Sequence, residues 1–372
     1  MFTKNHNIVI ISSSARAHAQ SVSLSGPTIY TIDQFSDLDL SQKRHKKLDL
    51  ESPQFFNDLL EYFRLLALPL MNTKIILGSG MEKWADSFSL LSEYGEVLGN
   101  APNNYEICNN HKVFLNLLTK LDIKYPTTLF SKPENDTKWL QKSNYSNGGA
   151  HVQWLRNVKK QHQHDVYYQK YIHGVPISVL FLSDGLEHSV IGISKMLASS
   201  DNLHHPFKYT GAISDFNVNM KNISLINEII SKLVTTLKLV GLNGIDCIIS
   251  DNLYVLECNP RLTATCELYS SRLKNGYLYA HMSAVKGKMC QPLLSKNQLF
   301  YGHRILYATK SFTLPASITW PQWINDIPQK EAQIQKYLPV CSVFASANTQ
   351  QLLEEKLERR AMLIIDLIKY CK

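Results

Sequence analysis

Residues 244–261 read Gly-Ile-Asp-Cys-Ile-Ile-Ser-Asp-Asn-Leu-Tyr-Val-Leu-Glu-Cys-Asn-Pro-Arg, and the fold turns on them. Two apolar runs predict adjacent strands of a hairpin, with Asp246 on the first, Glu257 and Asn259 on the second, and the cation Arg261 just beyond. Period-2 alternation after Leu253 assigns Tyr254, Leu256 and Cys258 to one face and Val255, Glu257 and Asn259 to the other. A strand with one acid and one Asn is most simply a solvated edge. Residues 253–256 are strongly apolar, however, which predicts burial, and a charge at the end of a buried strand needs a partner. Hard oxygen donors suit Mg2+, which prefers octahedral oxygen and commonly sits against substrate phosphates. Cys247 and Cys258 lie beside these donors, but Mg2+ does not take thiolates. The stretch predicts a metal–phosphate site with Asp246, Glu257 and Asn259 as ligands.

Composition sets the surroundings. A chain of 372 residues, 44% hydrophobic, can build two or three domains around real cores. The 39 basic and 31 acidic residues give a net charge of +8, which fits anionic small molecules at least as well as nucleic acid. The basic clusters at 43–47 and 156–160 read as solvated surface, so no nucleic-acid partner is expected. Seven cysteines form no CxxC pair and no zinc spacing, and read as buried thiols in a reducing compartment. No apolar run reaches membrane-spanning length, which predicts a soluble, cytoplasmic protein with no membrane partner.

Before the hairpin, residues 7–11 form a β-branched run leading into Ser12, Ser13 and Ser14, and strands are predicted at 29–32 and 74–77 with a helix at 54–66 between them. That is an opening of doubly wound type, without the GxGxxG of a dinucleotide site. Residues 78–100 read as a loop and a helix. Asn109 or Asn110 can cap a helix over 112–121, in which Phe114, Leu117, Leu118 and Leu121 recur at helical spacing. Strands follow at 138–142, 166–171, 175–182 and 190–194, then a helix at 223–239. Beyond Cys290 come strands at 302–309 and 339–345 and an amphipathic helix over 349–370.

The loop 143–151 follows Lys142 and ends in Gly148 and Gly149, whose flexible backbone can turn N–H groups toward phosphate oxygens. Alone, such a loop is a surface turn. Its company is Lys112 at a helix start, Lys142, and the acid–acid–amide hairpin downstream.

In that order, LGNAPNNYEICNNHKVFLNLL (98–118), WLQKSNYSNGGAHV (139–152), YYQKYIHGVPISVLFLSDG (167–185) and GLNGIDCIISDNLYVLECNPRLTATCELY (241–269) resemble the ATP-grasp superfamily. They are most similar to its carboligase-like branch, which includes ligases joining tyramine and glutamate in methanofuran (methylofuran) biosynthesis. The resemblance implies an α/β (α+β) ATP-grasp fold: a Rossmann-like domain over 1–105, the ATP-grasp domain over 106–290, and a small β-rich extension over 291–372 that completes the core. It implies ATP as cosubstrate and one or two Mg2+ ions, or Mn2+, on Asp246, Glu257 and Asn259. Lys112, Lys142, Ser146, Gly148 and Gly149 would meet the phosphates. Gln169 stands where the family has an adenine-contacting acid, with the backbone of Lys170 and Ile172 on the purine edge. Catalytic roles would fall on Glu257, Asn259 and Arg261, the arginine steadying the transferred phosphoryl group. The loop holds fewer glycines than is usual in the family, and Leu262 stands where Pro is frequent.

The activity implied is an ATP-dependent carboxylate–amine ligase working through an acyl phosphate on small-molecule acid and amine substrates, with glutamate and tyrosine or tyramine as the pair and a homodimer as an open assembly. Rival readings are a biotin-carboxylase-like carboligase, a small-molecule kinase and a non-catalytic ATP-binding protein. Residues 205–211 read as a loop between nucleotide strands and hairpin, offering Lys208, Tyr209 and Gly211 to the substrate. His151 and His173 read more simply as structural histidines, and Arg304 as a weaker candidate for closing the site.

Overall fold

The structure, a computed structural model, describes residues 5–22, 26–40, 44–134, 138–144, 148–158, 165–199, 205–293, 299–369 and 371. Among them no helix is long and apolar enough to cross a membrane.

The first layer is a parallel sheet of β1 (Asn7–Ile11), β2 (Thr28–Asp33), β3 (His45–Lys47), β4 (Thr73–Leu77) and β5 (Glu96–Val97), in the order β3-β2-β1-β4-β5. β1 is apolar throughout because both of its faces are covered: Ile8 and Ile10 enter one core, Val9 and Ile11 another. The one-turn helix α1 (Arg16–Gln20) follows β1, and α2 (Phe55–Leu66) buries Phe55, Phe56, Leu59 and Phe63. The helix expected within 78–100 is a 3-10 turn, Glu82–Ser87, running into the short α3 (Phe88–Leu91). α4 (Pro102–Asn109) has no counterpart in the reading of residue patterns, because its apolar positions are too few to mark a face; Pro102 sits at its start. Asn110 then caps α5 (His111–Lys120) by accepting from Val113 N–H.

A small antiparallel sheet comprises β6 (Thr128–Leu129), β7 (Trp139–Ser143), β8 (Gln153–Trp154) and β9 (Val166–Lys170), ordered β6-β9-β7-β8. The eight-stranded sheet is built from β10 (Val175–Asp184), β11 (His188–Met196), β12 (Gly211–Ile213), β13 (Val240–Ile249), β14 (Leu253–Asn259) and β15 (Phe300–Tyr307), with two later strands. Helix α6 (Met220–Leu237) lays Ile226, Ile230, Leu233, Val234 and Leu237 on it, meeting Ile177, Val179 and Phe181 of β10. Leu180 and Leu182 point the other way, into a core shared with Ile8, Ile10 and helix α7 (Tyr277–Val285). The same sheet continues past residue 290: β15 pairs with β12, and β17 (Ile324–Asn325) and β19 (Pro339–Ala347) extend it, while β16 (Phe312–Thr313) and β18 (Gln333–Ile334) form a separate ribbon. Helix α8 (Gln350–Ile368), capped by Thr349, buries Leu353, Leu357, Ala361 and Ile364.

Two expectations from residue pattern are corrected. The alternation along β14 breaks at a bulge, since Asp246 pairs with Glu257 but Cys247 pairs with Val255, skipping Leu256. Val255 and Cys258 therefore both enter the α6 core, and Val255 does not share a face with Glu257. Residues 205–211 are not a free loop: Gly211 opens β12 opposite Arg304, at φ +133, and a Cβ there would lie 2.1 Å from the His303 carbonyl oxygen.

Candidate nucleotide and metal site

The bulge at Leu256 aims the site. It turns Glu257 and Asn259 to the side where Asp246 stands, with Asp246 directly across from Glu257 and Asn259 across from Gly244. Asp246 and Glu257 are hydrogen-bonded to each other. Burial and the neighbouring Glu257 push Asp246 well above the usual carboxylate range. Burial also acts upward on Glu257, but hydrogen bonds from Asp246 and Asn259 and the charges of Lys142 and Arg261 bring it down. One proton held between two carboxyls is the signature of like charges forced together.

That arrangement tests the fit of a metal. The donors are all hard oxygens, and a divalent cation in place of the shared proton would satisfy both carboxyls at once. Among the described residues no three or more His, Cys, Asp or Glu side chains converge so as to hold a metal ion by themselves. Two carboxylates and an amide therefore leave coordination positions for phosphate and water, which is how Mg2+ is usually bound.

Asn259 is held from both ends. Its amide donates to Glu257 Oε1 at 3.2 Å, and its Oδ1 accepts from Arg261 Nη2 at 3.1 Å. Arg261 also donates to the Leu262 carbonyl at 3.1 Å and forms a buried ion pair with Glu82 at the start of the 3-10 turn. The guanidinium thus ties the hairpin to the 3-10 turn Glu82–Ser87 and orients Asn259.

Lys142, on β7, donates to Gln169 Oε1 at 2.7 Å. Burial lowers it to about 8, with Glu257 pulling the other way. Gln169 is 2% exposed and reaches Thr128 Oγ1 at 3.2 Å and His111 Nε2 at 3.4 Å. His111 stacks on Tyr167 with centroids 3.9 Å apart, and burial and Lys142 lower it to about 3. His151 responds to both Glu257 and Lys142, is lowered by burial to about 4, and has a buried Nδ1 without a partner. The small sheet's basic group and the hairpin's acids therefore face a common cleft.

The other expected residues are placed as follows. Gly148 and Gly149 have φ of +68 and +69; Tyr209 N–H donates to the Gly148 carbonyl at 2.8 Å, and a Cβ on Gly149 would lie 2.1 Å from the Phe207 carbonyl oxygen. Ser146 lies outside the described residues. Lys112 is exposed, its ammonium 6.0 Å from the Phe130 ring centroid, and it is the preceding His111 that joins Lys142 and Gln169. Lys170 N–H is taken by the Thr127 carbonyl at 2.8 Å, and Ile172 follows just after β9. Lys208 Nζ donates to the Tyr337 carbonyl at 2.6 Å and stands 3.6 Å from the Tyr307 ring centroid, while Tyr209 bonds His303 Nε2 at 2.8 Å. Arg304 pairs with Glu358 of α8 at 3.3 Å. Sequence reasoning missed His111, for which the Asn110 cap is a usable signal, and Glu82, for which no local signal exists.

Residues 108–265 match the ATP-grasp domain family. An uncharacterised protein of Methanocaldococcus jannaschii is 25% identical over 301 residues, covering 77% of this chain and 73% of its own. The L-amino acid ligase of Bacillus licheniformis superposes with a TM-score of 0.66 at 13% identity, covering 96% of this chain and 97% of its own. N5-carboxyaminoimidazole ribonucleotide synthetase of Thermotoga maritima gives 0.68 at 16%, covering 96% and 98%. The biotin carboxylase domain of Hydrogenobacter thermophilus 2-oxoglutarate carboxylase, crystallised with MgADP and bicarbonate, gives 0.72 at 11%, covering 97% and 90%.

Proposed function

We propose, for a chain that has the ATP-grasp fold and matches the family's domain over residues 108–265, an ATP-dependent, ADP-forming carboxylate–amine ligase. The observation that carries this reading is the pairing of Asp246 with Glu257 on the hairpin, in electrostatic reach of half-buried Lys142 on the small sheet. Two acids and a cation facing one cleft match a triphosphate carried with a divalent ion.

Asp246, Glu257 and Asn259 would hold Mg2+, which when bound neutralises charge between phosphate oxygens. Lys142, desolvated and bonded only to a neutral amide acceptor in Gln169, supplies a point charge to the phosphates. Arg261, held by Glu82, keeps Asn259 aimed at the cleft. A carboxylate is a poor electrophile; moving the γ-phosphoryl group onto its oxygen creates a leaving group, and an amine then displaces phosphate. Such a route asks the protein for positioning, charge neutralisation and exclusion of water rather than a nucleophilic side chain.

Resemblance of the four quoted segments further supports glutamate and tyrosine or tyramine as the pair, in the synthesis of a methanofuran-type cofactor. The test is ADP formation with Mg2+, ATP, glutamate and a panel of aromatic amines, with product masses recorded. A condensed product of acid and amine, formed only when both are present, is the expected result. ADP without either, or a phosphorylated substrate as final product, would overturn it.

A further inference from the structure

Beside the hairpin, where the N-terminal domain meets the last strands, lies a buried group of carboxyls that the nucleotide site does not use. Arg16, 2% exposed, is at its centre: Nε donates to Asp326 at 2.9 Å, Nη2 to Glu267 at 2.9 Å, and Nη1 to Gln20 at 3.1 Å and to Glu267. Asp33 accepts from Ala15 and Ser36 N–H at 3.1 and 2.9 Å, and Asp39 from Asp326 and Ile327 N–H at 3.0 and 2.8 Å. Glu267 also accepts from Asn325 at 3.2 Å, and Asp326 is bonded to Ser342. Asp37 is the exception. It is 7% exposed, and its Oδ2 is buried without a hydrogen-bond partner among the described residues.

The charge here is unbalanced. Asp33, Asp37, Asp39, Glu267 and Asp326 face a single guanidinium, and the histidines in its field are no help: burial holds His18 at about 3 and His303 at about 4, both neutral. Burial, with Asp326, Asp33 and Asp39, pushes Asp37 up to about 8. Near neutral pH the Asp37 carboxyl therefore keeps its proton, and a cation that reaches it would displace that proton and satisfy the carboxylate. The group is contiguous with the metal hairpin through Tyr209, which feels Asp246 on one side and Glu267 on the other and bonds His303. His303 Nδ1 is the second buried atom here without a partner.

We propose that Asp37 anchors the subsite for the acceptor amine, bound in its ammonium form, and that the acid substrate binds elsewhere. Four of the five Arg16 N–H groups are engaged by the protein, so it offers little to a substrate carboxylate, and the surrounding carboxyls disfavour one. A primary ammonium brings three donors to an acceptor-rich site. This rests on the ligase reading, whose own failure is separable.

The test is calorimetric titration of the full chain loaded with MgADP, using tyramine and cadaverine against their uncharged counterparts 4-ethylphenol and 1-pentanol. At least one ammonium probe is expected to bind in preference to its counterpart. Asp37→Asn should weaken that binding by roughly tenfold or more, as loss of a charged hydrogen bond does, while MgADP affinity is kept and melting is no lower. Binding of neither ammonium, or equal binding by Asp37→Asn, overturns the proposal. Should Asp37→Asn lose MgADP binding as well, the wild-type preference for ammonium over uncharged probe decides alone. Hydroxylamine, small and uncharged at neutral pH, tests the ligase reading independently: hydroxamate from a carboxylic acid and MgATP is expected in wild type and Asp37→Asn alike. Its absence with every acid sinks that reading and leaves the ammonium result standing.

Discussion

The two halves of the proposed nucleotide cleft are built on opposite principles. On the hairpin, every group is fixed by another: Glu82 holds Arg261, Arg261 holds Asn259, Asn259 holds Glu257, and Glu257 is hydrogen-bonded to Asp246. On the small sheet, half-buried Lys142 has a neutral amide as its hydrogen-bond acceptor, and two neutral histidines stand nearby. The acidic half is preorganised by a buried ion pair between residues 179 positions apart. The basic half is short of an anion, and its charge is fully used only when phosphate arrives. Preorganised groups tune rate, whereas a group awaiting its partner tunes affinity.

That contrast can be broken by mutation, beginning with the hairpin. Glu257→Gln and Asn259→Ala should reduce ADP formation by about 10²–10³-fold or more, with unfolding midpoints little changed because neither side chain is part of the core. Normal turnover in both would separate the acids from the chemistry. Glu82→Ala strands the Arg261 guanidinium and should cost about 3–5 kcal/mol of stability, read by denaturant unfolding. A loss under ~1 kcal/mol would mean the ion pair does not tie the hairpin to the 3-10 turn. On the small sheet, Lys142→Ala should weaken nucleotide binding by roughly 10- to 100-fold and leave stability unchanged or raised, since a half-buried cation is removed. Unchanged affinity would take Lys142 out of the phosphate site.

The smallest effect is on acid stability, and it lies outside both halves. His18 and His281 are buried and lowered by that burial to about 3 and about 4. His18 bonds the Tyr277 hydroxyl at 2.9 Å, and His281 contacts the Leu98 carbonyl at 3.0 Å and Leu242 N–H at 2.9 Å. The unfolded chain takes up protons on them near pH 6.5 while the folded chain does not. Their contribution is complete above about pH 6.5 and falls away as pH drops toward 4 and 3. His281→Gln should flatten that decline in equilibrium unfolding; an unaltered pH slope would remove His281 from it.

Much of this was legible in the chain itself. Residues 8–11, 75–77 and 179–182 are apolar without interruption because both faces of their sheets are covered, and such runs announce strands wherever they fall. The helices at Phe55–Leu66, Met220–Leu237 and Gln350–Ile368 follow from apolar spacing, and Asn110 and Thr349 mark two helix starts by their side-chain oxygens. α4 stayed hidden because eight residues with Tyr105 and Cys108 buried give too little periodicity. Residues 205–211 looked open because polarity was visible and the sheet that claims Gly211 was not; β12 exists only through its pairings with β11 and β15.

By itself, then, the sequence determined which atoms can meet a metal–phosphate pair: oxygen-bearing side chains at 246, 257 and 259 and a lysine at 142, since chemical type and local periodicity are properties of neighbouring residues. Only the tertiary structure decided where those atoms point. One skipped residue at Leu256 sets the face of Glu257, Glu82 lies 179 positions from the arginine it neutralises, and the Arg16 group joins residues as far as 310 positions apart. A bulge and a long-range ion pair depend on a partner strand or domain that local sequence does not contain, so folding alone brings them into being.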